Sequence, residues 1–378
     1  MDHATLTAWR RHLHAHPELS LRERNTAAFV CEKLRELGIP HEANVGGHGV
    51  VATITRGKSN RSVGLRADMD ALPITETTGA PYASQNPGVM HACGHDGHTT
   101  SLLGAAALLA QDGDWTGTVQ LIFQPAEEGY GGAKSMLDDG LLTRFPMERI
   151  FGYHNWPGLD AGTVAIHDGA VMAGGTRIDI TLDGHAGHAA MPHLARDPML
   201  AAGHLLVALQ SIVARNIDPL QSAVVSICTI EGGLASNQIP ASVRLRGTAR
   251  SLTDQTRAQI DEAVHRVTHG IAATFGMTAR VDIPLGIGAT VNSKPEADIA
   301  AEACAEAGLP FRRDLPPAMT SEDFGWYLRD RPGAFLWIGN GPADGGRELH
   351  NDHYDFNDAI LPNAAKTLAS VAKRALRA

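Results

Sequence analysis

The sequence predicts an α/β fold interrupted by an α+β, ferredoxin-like insert, and three observations carry that reading. Apolar strands at residues 62–67, 117–124 and 149–153 each run directly into polar residues, which is where the active-site edge of an α/β sheet lies. From Thr176 the pattern changes to β-α-β-β-α-β, the order of a ferredoxin-like module of about one hundred residues. After Pro284, helices and buried strands resume. The expected domains are therefore residues 1–174 with 284–378, and residues 175–283. An α/β body broken by a compact module suggests a lid or dimerisation domain over a cleft.

The 378 residues suffice for one large domain or two ordinary ones. Lys and Arg number 32 against 41 Asp and Glu, a net charge of −9 without a basic run, so no nucleic-acid partner is expected. No stretch is expected to be long and apolar enough to span a bilayer. Residues 1–20 are polar and histidine-rich with no apolar signal core, which reads as cytoplasmic. Cys31, Cys93, Cys228 and Cys304 are scattered, as reduced thiols are. Three of them, Cys31, Cys228 and Cys304, sit among apolar neighbours and read as core residues.

In chain order, residues 6–13 and 25–37 read as helices, the second stopped by Gly38 and Pro40. His12, His14 and His16 precede Pro17 and read as surface or interdomain packing rather than a second metal site. Strands at 50–56 and 62–67 follow, the latter entering Asp68-Met69-Asp70. Asp70 reads as functional, whereas Asp68 serves equally well as a turn or cap carboxylate.

The stretch Met90-His91-Ala92-Cys93-Gly94-His95-Asp96-Gly97-His98 precedes a helix at 99–111. Cys93 and His95, two apart on a tight loop, suit a zinc-like or other divalent transition metal. No two-thiolate knuckle is present, which argues against a structural zinc. The strand 117–124 ends in Pro125-Ala126-Glu127-Glu128-Gly129. Adjacent glutamates point in different directions, so one can bind metal while the other faces a water. His154 closes the strand 149–153 in the same way.

In the insert, Thr176–Asp183 alternates apolar and polar residues, as a strand with one buried face does. Helices at 197–215 and 254–275 and strands at 223–230, 242–250 and 278–283 complete it. His185-Ala186-Gly187-His188, the loop with Ser236-Asn237-Gln238, and Arg250 are its polar features. Arg250 suits a bidentate carboxylate clamp or an exposed ion pair. The last third has a helix at 297–307, Ser321-Glu322-Asp323-Phe324, a strand at 333–339, a glycine-rich loop before His350, and an amphipathic helix at 362–377.

Together these stretches resemble the hippurate hydrolase, aminoacylase and auxin-conjugate hydrolase group, dinuclear-metal amidohydrolases related to carboxypeptidase G. The matching segments are 10–20 (RRHLHAHPELS), 65–73 (LRADMDALP), 90–98 (MHACGHDGH), 124–129 (QPAEEG), 154–158 (HNWPG), 187–193 (GHAAMPH), 321–324 (SEDF) and 349–357 (LHNDHYDFN). They occur in family order across nearly the whole chain. The resemblance implies a mixed-sheet metallopeptidase catalytic domain with a lid/dimerisation insert. It implies two divalent metal ions per subunit (zinc, manganese, cobalt or nickel) held by Cys93, His95, Glu128, His154 and His350. Glu127 would be the general base and Asp70 would orient a ligand imidazole. His188 would reach a neighbouring subunit's site and stabilise the oxyanion. Asn237 and Arg250 would hold the substrate, Arg250 by its α-carboxylate. The implied reaction is hydrolysis of N-acyl-L-amino acids of the N-acetyl or N-benzoyl type by a homodimer or dimer-based oligomer. A dipeptidase or aromatic amide hydrolase could use the same centre. A non-catalytic metal-binding module would have no use for Glu127 or the insert residues. Two places depart from the family: His185-Ala186, where a basic residue and a glycine are commoner, and His48, where a small residue is commoner.

Overall fold

The computed structural model describes residues 1–284 and 286–378. These form two compact units: Met1–Val171, Val291–Pro316 and Asp323–Ala378 make the first, and Met172–Thr290 with Pro317–Glu322 the second. The stretch Pro317–Glu322 was expected with the first unit. It joins the second because the Ala173 N–H donates to the carbonyls of Ala318 and Thr320, and the Thr290 hydroxyl donates to the carbonyl of Glu322.

The first unit is built on an eight-stranded mixed sheet. Its spatial order is His41–Val45, Gly49–Arg56, Gly117–Gln124, Ser62–Asp68, Arg149–Pro157, Gly333–Gly341, Val164–Ile166 and Phe311–Arg312. The four strands from Gly117–Gln124 to Gly333–Gly341 are mutually parallel, while Gly49–Arg56 and Val164–Ile166 flank them antiparallel. Parallel strands buried on both faces need continuous apolar runs, and Val63, Leu65, Val119, Leu121, Phe123, Ile150 and Phe151 supply them with essentially no exposure. Helices His95–Gln111 and Leu361–Arg377 bury Leu102, Leu103, Leu368 and Val371 in the same core. Each such side chain contributes roughly 1.5–3 kcal/mol on leaving water.

Two boundaries differ from expectation in ways that matter for the site. Helix His95–Gln111 begins four residues before Thr99, because Gly94 takes a left-handed conformation (φ 94°) at its N-cap. His95, Asp96 and His98 therefore occupy its first turn. The strand Arg149–Pro157 continues four residues past Tyr153, so His154 lies within a strand rather than after one.

The second unit is a four-stranded antiparallel sheet in the order Ala223–Glu231, Ser242–Ser251, Gly174–Asp183, Thr278–Asp282. Helices Pro198–Asn216 and Asp254–Thr274 share its core, in which Ile178, Ile180, Leu182, Leu205, Leu209, Leu245, Ile260 and Val264 are fully buried. Both helices are capped as their sequences suggest, Asp197 accepting from the Met199 and Leu200 N–H groups and Thr253 from that of Thr256. Two expectations are corrected here. Pro198–Asn216 is long and apolar enough, by length and composition, to cross a membrane; its Ala201, Ala202, Leu205, Leu209 and Ile212 are buried within the unit. Cys228 is exposed rather than in the core, because the register with Ser242–Ser251 shifts between Ile227 and Thr229 and a bulge re-aims the residue it contains.

Candidate metal centre

The carboxyl ends of three adjacent parallel strands converge on one sheet edge. Ser62–Asp68 delivers Asp68 and then Asp70, Gly117–Gln124 delivers Glu127 and Glu128, and Arg149–Pro157 delivers His154. Helix His95–Gln111 starts beside them. Its approach is possible only because residue 94 is glycine: a Cβ there would stand 2.3 Å from Asn155 Nδ2 and 2.4 Å from Tyr354 Oη. His350 arrives from the C-terminal loop, in a left-handed conformation (φ 62°), with its N–H on the carbonyl of Ala92.

The five expected ligands come together. Cys93 Sγ lies 3.3 Å from His154 Nε2, and His350 Nε2 lies 3.3 Å from Glu128 Oε1. His95 Nε2 is 4.0 Å from the same Glu128 oxygen. Cys93, His95 and His154 form one group whose donor atoms lie within 4.8 Å of one another, and Cys93, Glu128 and His350 form another. The thiol is common to both, as a ligand shared between two ions would be.

The imidazoles are oriented as ligands. His154 Nδ1 lies 2.7 Å from the carbonyl of Asn155, which can only accept, so Nε2 carries the lone pair that faces Cys93. His95 Nδ1 is 3.3 Å from Asp70 Oδ1, leaving Nε2 toward the cluster. His95 Nε2 and Glu128 Oε1 are buried with no hydrogen-bond partner among the described residues. Orphaned donor atoms of this kind are costly unless a cation takes them, so the residues present fit divalent metal ions.

The electrostatics agree. Burial works against a charge on His95, yet Asp68, Asp70 and Glu128 raise it to about 10. Burial, followed by the neighbouring His98, holds His154 well below its usual value, hence neutral. Burial, Glu128, Glu127 and Asp68 push the Cys93 thiol well above its usual range. A set of carboxylates that must borrow a proton to charge His95 is a set that wants a cation.

Asp70 does more than face His95. It accepts from the N–H groups of Glu127 (3.1 Å) and Glu128 (3.0 Å) and from the hydroxyl of Ser20 (2.6 Å). Glu127 is buried, and its Oε1 accepts from the Asp323 N–H at 3.3 Å. The turn carrying both glutamates begins at Ala126, a non-glycine residue at φ 55°, a conformation that costs on the order of 1–2 kcal/mol.

The cluster is supported by residues that the sequence does not mark out for this role, among them His14, expected in surface or interdomain packing but wholly buried. Asp68 accepts from Arg66 at 2.7 Å and pairs with His98 Nδ1 at 2.6 Å, while His98 Nε2 accepts from the Asn155 N–H. Both nitrogens of His98 are thus committed, and it steadies the loop rather than offering a ligand. Arg10, wholly buried, reaches Asp96 at 3.0 Å, together with Asp355 and Asp358. His14 adds a 2.8 Å contact with Asp96 and a 3.3 Å contact with Glu76. An arginine amid the apolar run 63–67 was the signal for the Arg66 pairing; the others needed contacts across the chain.

The second unit places its expected residues separately. His188 belongs to the two-residue strand Gly187–His188, paired with Gln238–Ile239. The Asn237 carbonyl accepts from the Ala189 N–H at 3.0 Å, so His188 and Asn237 share one exposed ribbon. Arg250 lies elsewhere, its guanidinium over Gly175, where a Cβ would meet Nη1 at 1.5 Å and Ser321 Oγ at 2.8 Å. It is half-buried and has no ion pair among the described residues.

Residues 64–374 match the model of peptidase family M20/M25/M40. This chain belongs to that family. The hippurate hydrolase of Campylobacter jejuni is 40% identical over 372 residues, covering 97% of this M20 chain and 96% of the relative. The N-acetyl-L-cysteine deacetylase of Bacillus subtilis is also 40% identical, over 368 residues, covering 97% and 87% respectively. A dinuclear metal-binding M20 peptidase of Bacillus subtilis superposes with a TM-score of 0.88 at 35% identity, covering 99% of this chain and 98% of its own.

Proposed function

We propose that this M20 chain is a metal-dependent amidohydrolase that cleaves N-acyl-L-amino acids of the N-acetyl or N-benzoyl type to a carboxylic acid and a free amino acid. The observation that carries this reading is the convergent donor set of Cys93, His95, Glu128, His154 and His350, the first, second and fourth of them buried, with Glu127 beside it. Relatives named for hippurate and for N-acetyl-L-cysteine support the substrate class.

Two divalent ions (zinc, manganese, cobalt or nickel) held by those five residues would acidify a water and polarise the acyl carbonyl. Glu127 accepts the proton of the attacking water and delivers it to the leaving amine nitrogen. Asp70 keeps His95 in the tautomer that presents Nε2. Arg250, with no acidic partner among the described residues, takes the substrate's α-carboxylate, and Asn237 helps hold the acyl amide. His188, supplied by the second copy of a homodimer whose second units act as lid and pairing surface, stabilises the oxyanion. Four free cysteines accord with a cytoplasmic location.

The test is a substrate panel of N-acetyl- and N-benzoyl-amino acids and dipeptides, run on metal-reconstituted and chelated enzyme. Hydrolysis of the N-acyl amino acids, lost on chelation and restored by metal, is expected. Activity indifferent to chelation, or confined to dipeptides, would overturn the proposal.

A further inference from the structure

Glu23 stands at the N-cap of helix Arg24–Glu36, where a carboxylate ordinarily caps its own helix. It makes no such bond. Its side chain, with no solvent exposure, instead crosses to the turn after Gly117–Gln124, where Oε1 accepts the Ala126 N–H at 2.7 Å. Three consecutive amides of that turn are therefore held by two buried carboxylates: Ala126 by Glu23, and Glu127 and Glu128 by Asp70.

The turn needs holding. Ala126 sits at φ 55° without being glycine. Its carbonyl accepts the Gly132 N–H at 3.0 Å, and a Cβ on Gly132 would lie 1.6 Å from the Pro125 carbonyl oxygen. The loop is closed on that side by backbone and fixed on the other by Glu23. The position of Ala126 sets where the next two side chains emerge. A buried carboxylate near Asp70 is costly, and burial, with Asp70 adding repulsion, lifts Glu23 to about 7. A fold that tolerates it without using it for its own helix is using it for the turn.

We infer that Glu23 is a positioning residue that holds the left-handed Ala126 and thereby aims Glu127. This rests on the role of Glu127 proposed above. No charge on Glu23 is required, because a protonated carboxyl or an amide still offers an oxygen to the Ala126 N–H.

The experiment compares full-length, metal-reconstituted wild type, Glu23→Ala and Glu23→Gln. It measures kcat and KM on N-benzoylglycine, bound metal, and amide hydrogen exchange of the peptide spanning residues 125–129. For Glu23→Ala, kcat should fall about 100-fold, the scale of a roughly 1 Å misplacement of a reacting group. KM and bound metal should stay near wild type, and exchange in the peptide should rise. Glu23→Gln should recover most of the kcat and the protection. Should Glu23→Ala fail to fold, Glu23→Asp takes its place with the same expected split, because its shorter carboxylate falls short of Ala126. Unchanged kcat, equal losses in the Ala and Gln variants, or loss of metal along with activity would overturn the inference. If wild type itself leaves N-benzoylglycine intact, the proposed activity fails for that substrate. The exchange difference still decides whether Glu23 holds the turn: faster exchange in Glu23→Ala supports it and unchanged exchange overturns it.

Discussion

In the first unit, Cys93, His95 and His154 are buried, and both imidazoles have Nδ1 committed to a fixed acceptor. In the second, His188 and Asn237 are exposed and Arg250 has no acidic partner among the described residues. Burying ionisable groups is affordable only when they are paired and hydrogen-bonded in advance, so the first unit's cluster has to be assembled by folding itself. Residues left exposed or unpaired are free to meet something that arrives later. In the proposed mechanism the metal donors and the base Glu127 come from the prebuilt centre, while His188, Asn237 and Arg250 stay available to meet a substrate.

Removing the base should break the first half of that contrast most severely. Glu127→Gln keeps size and polarity but loses basicity, so kcat should fall by roughly two to four orders of magnitude, with metal content near wild type. Steady-state kinetics and metal analysis check this; retained turnover contradicts it.

Arg10 tests whether the centre depends on its support. Replacing Arg10 with Met leaves Asp96 buried beside an apolar chain, and losing one partner of a buried pair costs roughly 3–5 kcal/mol. Urea unfolding of both proteins measures the difference, and a loss below about 1 kcal/mol, the range of exposed pairs, would mean the network is not holding the loops.

Arg250 sharpens the other half. Arg250→Ala should raise KM about 10- to 100-fold, from the roughly 1.5–3 kcal/mol of hydrogen bonds to charged groups, and leave stability near wild type. An amidated substrate without the α-carboxylate should show no difference between the two proteins; a difference there would remove Arg250 from carboxylate recognition.

The smallest effect expected is a pH slope. Burial and Arg10 oppose protonation of His14, but Asp96 and Glu76 raise it from 6.5 to about 9. A histidine raised on folding contributes stability that is complete below its unfolded value and lost as pH climbs through the folded one. The melting temperature should thus decline between about pH 6.5 and 9, and His14→Gln should flatten that decline. Parallel slopes in both proteins would count against it.

Much of the architecture was legible because hydrophobic periodicity is a local property. Gly117–Gln124 was bounded to the residue, and the four strands of the second unit follow the β-α-β-β-α-β order with antiparallel pairing throughout. The candidate donors could be picked out because a Cys and a His two apart, and a Glu pair after a buried strand, are unusual patterns. What stayed hidden depends on contacts distant in sequence. Glu23 meets Ala126 across 103 positions and Arg10 meets Asp96 across 86, and no periodicity records either. Cys228 was misplaced because one bulge turns a strand residue outward, and the early start of helix His95–Gln111 depends on a left-handed Gly94.

Metal stoichiometry tests the prebuilt centre most directly. Reconstituted, desalted wild type and Glu127→Gln should each hold two ions per chain by plasma mass spectrometry, whereas Cys93→Ala should hold fewer, because that thiol belongs to the Cys93, His95, His154 group and to the Cys93, Glu128, His350 group. A single ion in wild type, an unchanged count in Cys93→Ala, or loss of metal from Glu127→Gln would contradict a two-ion centre with Cys93 shared and Glu127 standing outside the ligand set.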